Sequence, residues 1–181
     1  QGKYLRTLPM HNKRKDEYLY ITNFIHLDDD QLLCSSNNIK GYAVHYLQDK
    51  KTGMTTLVDS ISNERYVSEY IFAEKDGVTY STAPNLTPCV HTSEGIVYAD
   101  HSNDTLYRMT DGMTPSAFIV RTPRVKETKP NKILRFDNET DDWMFLSGIE
   151  MAYDFSKNEG MRQTNYGIEK ASGNIFELTF I

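Results

Sequence analysis

Residues 93–120 read SEGIVYADHSNDTLYRMTDGMTPSAFIV. Apolar and polar residues alternate, break at Asn103-Asp104, alternate again, break at Asp111-Gly112, and alternate a third time. Period-two alternation marks a strand with one face turned to a core, and Asn-Asp and Asp-Gly are turn dipeptides. The stretch therefore predicts three consecutive antiparallel strands and no helix. The same pattern recurs outward in both directions, at 3–9, 18–27, 31–36, 42–48, 55–61, 66–74, 77–83 and 88–92, and then at 143–155, 164–170 and 175–181. Turn residues separate the runs, among them Asp28-Asp29-Asp30, Asn37-Asn38, Thr52-Gly53, Asp76-Gly77 and Ser172-Gly173. The helical candidate is a turn or two after Pro130, inside the polar RTPRVKETKPNKILRFDNETDD (121–142), which reads as a long connection between sheets.

Three segments align with one another: YAVHYLQDKKTGMTTLV, DTLYRMTDGMTPSAFIV and NYGIEKASGNIFELTFI. Each is a strand, a turn closed by Gly, and a strand ending on an apolar run. A further strand precedes each, read at DDQLLCSSNN, SEGIVYADHSN and IEMAYDFSKNEG. Gly53, Gly112 and Gly173 set a period of about 60 residues, and self-similarity at a fixed spacing marks a repeat architecture. A four-stranded unit of that size fits a propeller blade with long loops. The reading is an all-β, β-propeller-like domain over residues 1–181, about three four-stranded blades of a six-bladed ring, with PCVHT (88–92) as the inner strand of the middle blade. A β-sandwich of two facing sheets is the alternative. SEYIFAEKDGVTYSTAP (68–84) falls outside the one-blade count, as an elaborated loop or part of an irregular blade. Rings close with about four to eight blades. Three units therefore predict either part of a larger propeller or two copies completing a ring, with uncovered blade faces free to self-associate.

The charge balance of −5 argues against a nucleic-acid partner, which needs a clustered basic face. No apolar run is long enough to span a bilayer. The opening QGKYLRTLPMHNKRKDEY has no apolar h-region, an observation that leaves the compartment open. Tyrosine supplies most of the aromatic content, 12 residues against 8 Phe and 1 Trp, and suits half-buried pleated surfaces. Cys34 and Cys89 fall in strands of different units and are expected as two free thiols.

The step Asn103-Asp104-Thr105-Leu106-Tyr107-Arg108-Met109, followed by the apolar strand from Pro115, closely resembles the signature of six-bladed β-propeller proteins of the Bacteroidales. The opening GKYLRTL (2–7) resembles their outer strand, and KASGNIFELTF (170–180) their closing hairpin. The Gly-x-Gly-Pro-Gly-Glu-Tyr that usually follows the outer strand is replaced by MHNKRKDEYLY, which keeps only Glu17-Tyr18. The resemblance implies the C-terminal half of such a protein, secreted or lipid-anchored, at the periplasm or outer-membrane surface. It implies a glycan or envelope-protein partner, and it brings no catalytic residues and no cofactor. Asp59-Ser60-Ile61 and Asp104-Thr105-Leu106 are similar to the O-glycosylation acceptor pattern of that phylum.

Chemistry is sparse. Among His11, His26, His45, His91 and His101 no two are three or four residues apart, so no element offers a ready metal pair. His26 and His91 lie in predicted inner strands, which makes them candidate channel liners; a hydrogen-bonded strand histidine is the plainer reading. LDDDQ (27–31) lacks the Gly and distal Glu of a Ca²⁺ loop and reads as a solvated turn, as do Glu139, Asp141 and Asp142. No nucleophile elbow, P-loop or dinucleotide fingerprint is present. Tyr42, Tyr46, Tyr98, Tyr107 and Trp143 are candidates for a sugar platform or for inter-sheet packing. The reading is a non-catalytic binding or scaffold propeller of the cell envelope. The rival is a propeller-class glycoside hydrolase or lyase, which requires two carboxylates converging in one pocket with shifted pKa.

Overall fold

The computed structural model describes residues 7, 21, 23–38, 42–62, 64–86, 89–110 and 114–179, with the backbone alone at 37, 38, 42 and 43. Of the strand expected at 3–9 only Thr7 is described, and His11 and the turn at Asp111-Gly112 lie outside the described residues. The chain divides into two compact units, residues 1–64 and 65–181.

The first unit holds a four-stranded antiparallel sheet in simple up-and-down order: β1 (Asn23–His26), β2 (Gln31–Asn38), β3 (Tyr42–Asp49) and β4 (Thr55–Ile61). β2 and β3 bury successive residues, Leu33 with Cys34 and His45 with Tyr46, so both faces of the sheet centre are covered.

In the second unit a separate hairpin comes first, β5 (Ile71–Lys75) and β6 (Val78–Thr82). Its turn, Asp76-Gly77, has both φ angles positive, as a two-residue type I′ hairpin requires. The second four-stranded sheet follows, again a meander: β7 (Cys89–Thr92), β8 (Gly95–Tyr98), β9 (Thr105–Met109) and β10 (Pro115–Val120). The third consists of β11 (Lys132–Glu139), β12 (Trp143–Glu150), β15 (Gln163–Glu169) and β16 (Ile175–Leu178), with a small hairpin, β13 (Tyr153–Asp154) and β14 (Glu159–Gly160), inserted between its second and third strands. The protein is thus all-β, built from several antiparallel sheets of which none closes on itself. Residues 93–120 supply β8, β9 and β10 of one sheet, as their alternation predicts. Both cysteines are free, Cys34 in β2 and Cys89 in β7.

Two expectations fail. Residues 132–139 are a strand, the first of the third sheet, and the helical turn lies before Pro130, a single 3₁₀ turn at Val125–Glu127. Lys132, Arg135 and Asp137 made the segment read as a polar loop, yet Ile133 and Phe136 are buried, and a bulge at Asp137 breaks the alternation. IEMAYDFSKNEG is not a blade strand; the strand ends at Glu150 and the remainder forms the β13–β14 hairpin.

The glycine repeat has a physical basis at two of its three positions. Gly53 and Gly173 close the third-to-fourth-strand turns of the first and third sheets with φ of 75° and 72°. Each donates its N–H to the carbonyl of the residue four before it, Asp49 and Glu169, at 2.8 Å. A hydroxyl one residue earlier, Thr52 or Ser172, donates to that same residue's carboxylate. A left-handed residue is needed to turn the chain back, and Gly adopts it without steric cost.

The second and third sheets pack through Val97, Leu106, Phe136 and Leu146, with Val90, Phe118, Leu134 and Ile168 around them. Their first strands, β7 and β11, run close to each other. A smaller cluster of Val67, Val125, Ile133 and Ile149 anchors the connections at one end.

Candidate functional site

In a meander the turns alternate between the two ends of the sheet. In the second unit one end carries the short turns after β7, β11 and β15. The other end gathers everything long: the Asp100–Asp104 turn, the connector 121–131, the β13–β14 hairpin and the segment that carries β5–β6.

The short-turn end is closed by an ion cluster. The Glu139 side chain has no exposed surface and pairs with Arg108 at 2.7 Å and Lys170 at 3.0 Å. Glu94 pairs with the same two cations. The Arg108 guanidinium also stacks 3.7 Å from the centre of the Phe118 ring. Glu139 is therefore not the solvated loop carboxylate its sequence context predicts; being the last residue of β11, it is carried into the core by the strand. Burial alone would push its carboxyl up, but Thr92, Lys170 and Arg108 beside it outweigh burial and hold it below the usual range. Asp141 and Asp142, in the adjoining turn, are exposed as expected.

At the long-loop end the connections are pinned. Asp104 accepts the Val125 N–H at 2.7 Å through its carboxylate and the Arg121 N–H at 2.9 Å through its carbonyl. Ser102 accepts the Val67 N–H at 2.9 Å, and His101 Nε2 lies 2.6 Å from the Val67 carbonyl oxygen. Thr128 bonds Val125 and Lys132. On this frame the two hairpins bring aromatic rings together. The Tyr80 ring, 46% exposed, lies 6.4 Å from Phe155, and Phe155 meets Tyr153 edge-on at 4.9 Å. Tyr70 and Phe72 are 6.0 Å apart and both exposed, but Phe72, paired with Ser81, is on the hairpin face opposite Tyr80, which pairs with Ala73. The hairpin β13–β14 is tightly made. The Asp154 carboxylate accepts the Ser156 N–H and hydroxyl, and Tyr153 donates its hydroxyl to Asn158. Gly160 sits at φ 150°, where a Cβ would lie 2.4 Å from the Ala152 oxygen and 2.5 Å from the Tyr153 Cα.

The aromatics singled out in the sequence are elsewhere. Tyr46 and Tyr98 are buried, Tyr98 stacks on Tyr107 at 5.4 Å, and Trp143 is half-buried against Phe176. The side chain of Tyr42 is outside the described ones. His26 is exposed in β1 of the first unit and His91 is exposed in β7 of the second; neither belongs to the ion cluster or the aromatic row. Asp28 of LDDDQ is a turn residue whose carboxylate accepts the N–H groups of Asp30 and Gln31, and Asp30 pairs with Lys51 at 2.7 Å. Among the described residues no group of His, Cys, Asp and Glu could hold a metal ion. Of the two glycosylation-like triplets, Ser60 is exposed in β4 and Thr105 is half-buried at the start of β9.

Register reveals one set that spacing concealed. Ser35, His45 and Asp59 stand directly opposite one another across β2, β3 and β4. Ser35 is 5% and His45 1% exposed, so the row is a polar seam of the core, closed to a substrate carbonyl.

No helix among the described residues is long and apolar enough to cross a membrane. Compared with known proteins, the chain matches no family model, no curated protein and no solved structure.

Proposed function

We propose that this chain is a non-catalytic binding module of the bacterial envelope, built from propeller-like blades, that holds a glycan against the aromatic row of its long-loop end. The observation that carries the reading is the Tyr80–Phe155–Tyr153 row, presented by two hairpins that are not part of any four-stranded sheet. An exposed ring offers a flat apolar face to the C–H face of a sugar, while polar neighbours such as Asn158 supply hydrogen bonds. The blade assignment is supported by three features. They are the four-strand meanders, the equivalent glycine turns at Gly53 and Gly173, and the closeness of the first strands of the second and third sheets.

The hydrolase or lyase reading fares worse on chemistry. The carboxylates that do converge, Glu94 and Glu139, share Arg108 and Lys170, and Glu139 is held ionised. A general acid needs the opposite shift. A glycan-array screen followed by titration calorimetry tests the proposal: a hit should lose at least tenfold in affinity on Tyr80→Ala. Hydrolysis of that glycan, or binding indifferent to both Tyr80→Ala and Phe155→Ala, would overturn it.

A further inference from the structure

A cleft of about 720 Å³ opens between β10, the connector and the third sheet. Its volume is in the range of small-molecule sites. Ile119, Leu134, Leu146 and Ile168 form its apolar wall, the open margin of the packing between the second and third sheets. Gly148 forms part of the floor. A Cβ there would come within 3.2 Å of the Tyr166 ring, so the missing side chain is what lets that ring lie over the sheet.

The rim is basic. RTPRVKETKPNK (121–132) carries five cations against the single carboxylate of Glu127, in a chain of net charge −5. Three of them, Arg121, Lys129 and Lys132, line the cleft. Lys132 is matched by Glu150 at 3.1 Å. Arg121 is not matched in this way: it is half-buried and donates to the carbonyls of Pro123 and Lys132, and among the described residues no carboxylate forms an ion pair with it. Asp104 attracts the guanidinium from beyond ion-pair distance, so a partly desolvated cation beside an apolar cavity keeps capacity for an anion in direct contact.

We propose that this cleft binds a small amphiphilic carboxylate, its apolar body against Ile119, Leu134 and Ile168 and its carboxylate on Arg121, with Lys129 adding attraction from the rim. Planar guanidinium and carboxylate match in a two-pronged hydrogen-bonded pair, which accounts for a carboxylate head in preference to a neutral one. The site is separate from the aromatic row and does not depend on glycan binding.

The test is calorimetry of the whole chain with decanoate and with decanol, its uncharged counterpart, below the concentrations at which either aggregates. One decanoate should bind per chain, at least tenfold more tightly than decanol. Lys129→Glu, at an exposed position, should weaken decanoate about fivefold or more while leaving decanol affinity and the melting temperature unchanged. Gly148→Leu should remove binding of both, and Tyr80→Ala should change neither. Equal affinity for the two probes, decanoate binding indifferent to Lys129→Glu, or no binding of either probe would each overturn the proposal.

Discussion

Glu139→Gln should destabilise the second unit by about 3 kcal/mol. The cluster of Glu94, Glu139, Arg108 and Lys170 is formally neutral. The substitution leaves it with an extra positive charge, and Arg108 and Lys170 are only 10% and 18% exposed. Removing one partner of a buried pair costs about 3–5 kcal/mol, because the remaining charge stays out of water unmatched. Glu94, 54% exposed, still reaches both cations, which places the loss at the low end of that range. For a unit of this size each kcal/mol moves the melting temperature by about 4 °C, so the drop should be about 12 °C by circular dichroism. Arg108→Met combined with Glu139→Leu removes one charge of each sign, leaves Lys170 with Glu94, and should recover most of the loss. The pH dependence has a definite sign. The Glu139 carboxyl is held below its ordinary value of 4.5 despite burial, by Thr92, Lys170 and Arg108. Its contribution is therefore fully present above about pH 4.5 and is lost as pH falls through the lower folded value. Wild type should lose stability more steeply than Glu139→Gln below that point. A melting-temperature change under about 3 °C would put the cluster in the class of exposed salt bridges and refute the reasoning.

Tyr80→Ala should weaken glycan binding at least tenfold while lowering unfolding free energy by only about 1 kcal/mol, since Tyr80 is 46% exposed and stands in a hairpin outside the four-stranded sheets; urea titration measures the second quantity. Gly160→Ala places a Cβ 2.4 Å from the Ala152 oxygen and should open the β13–β14 hairpin, seen as loss of amide protection at Met161, whose N–H bonds that oxygen. Burial pushes the Cys34 thiol up from 9.0 to about 11, so a thiol reagent at pH 8 should modify Cys89 first and reach Cys34 only on unfolding. By linkage, the stability Cys34 contributes is present below about pH 9 and declines as pH rises toward 11; Cys34→Ser should remove that alkaline decline.

The strands were legible because most of them alternate cleanly. Residues 93–120 alternate between turn dipeptides, and alternation survives whatever the sheet packs against. β11 was not legible because a buried ion pair and a bulge defeat the same rule: Glu139 looks like a solvent residue until Arg108 and Lys170 are placed beside it. The aromatic row was hidden for a different reason. Strand spacing does not tell whether a tyrosine sits in a four-stranded sheet packed on another or in a lone hairpin. Tyr46 and Tyr98 are in the first situation and Tyr80 in the second. One signal set the segment apart: SEYIFAEKDGVTYSTAP would not fit the blade count, and that surplus segment is where Tyr70, Phe72 and Tyr80 lie.

The step Asn103–Met109, the most specific motif in the chain, shows why the motif says so little about activity. Asn103 accepts from Arg65 and from the Thr105 N–H, Asp104 pins the connector, and Leu106 is fully buried between the second and third sheets. Tyr107 stacks on Tyr98, and Arg108 holds Glu139 and Phe118. Those contacts are internal, and they fix one sheet to the next and to the connections above it. A motif spent in this way can recur wherever two such sheets must be joined, whatever the protein binds. The ligand contacts proposed above fall on segments free of that duty, the β5–β6 and β13–β14 hairpins and the basic rim of the connector. There Tyr70, Phe72, Tyr80 and Lys129 are exposed, and the flanking connections are held by Asp104, Ser102 and Thr128.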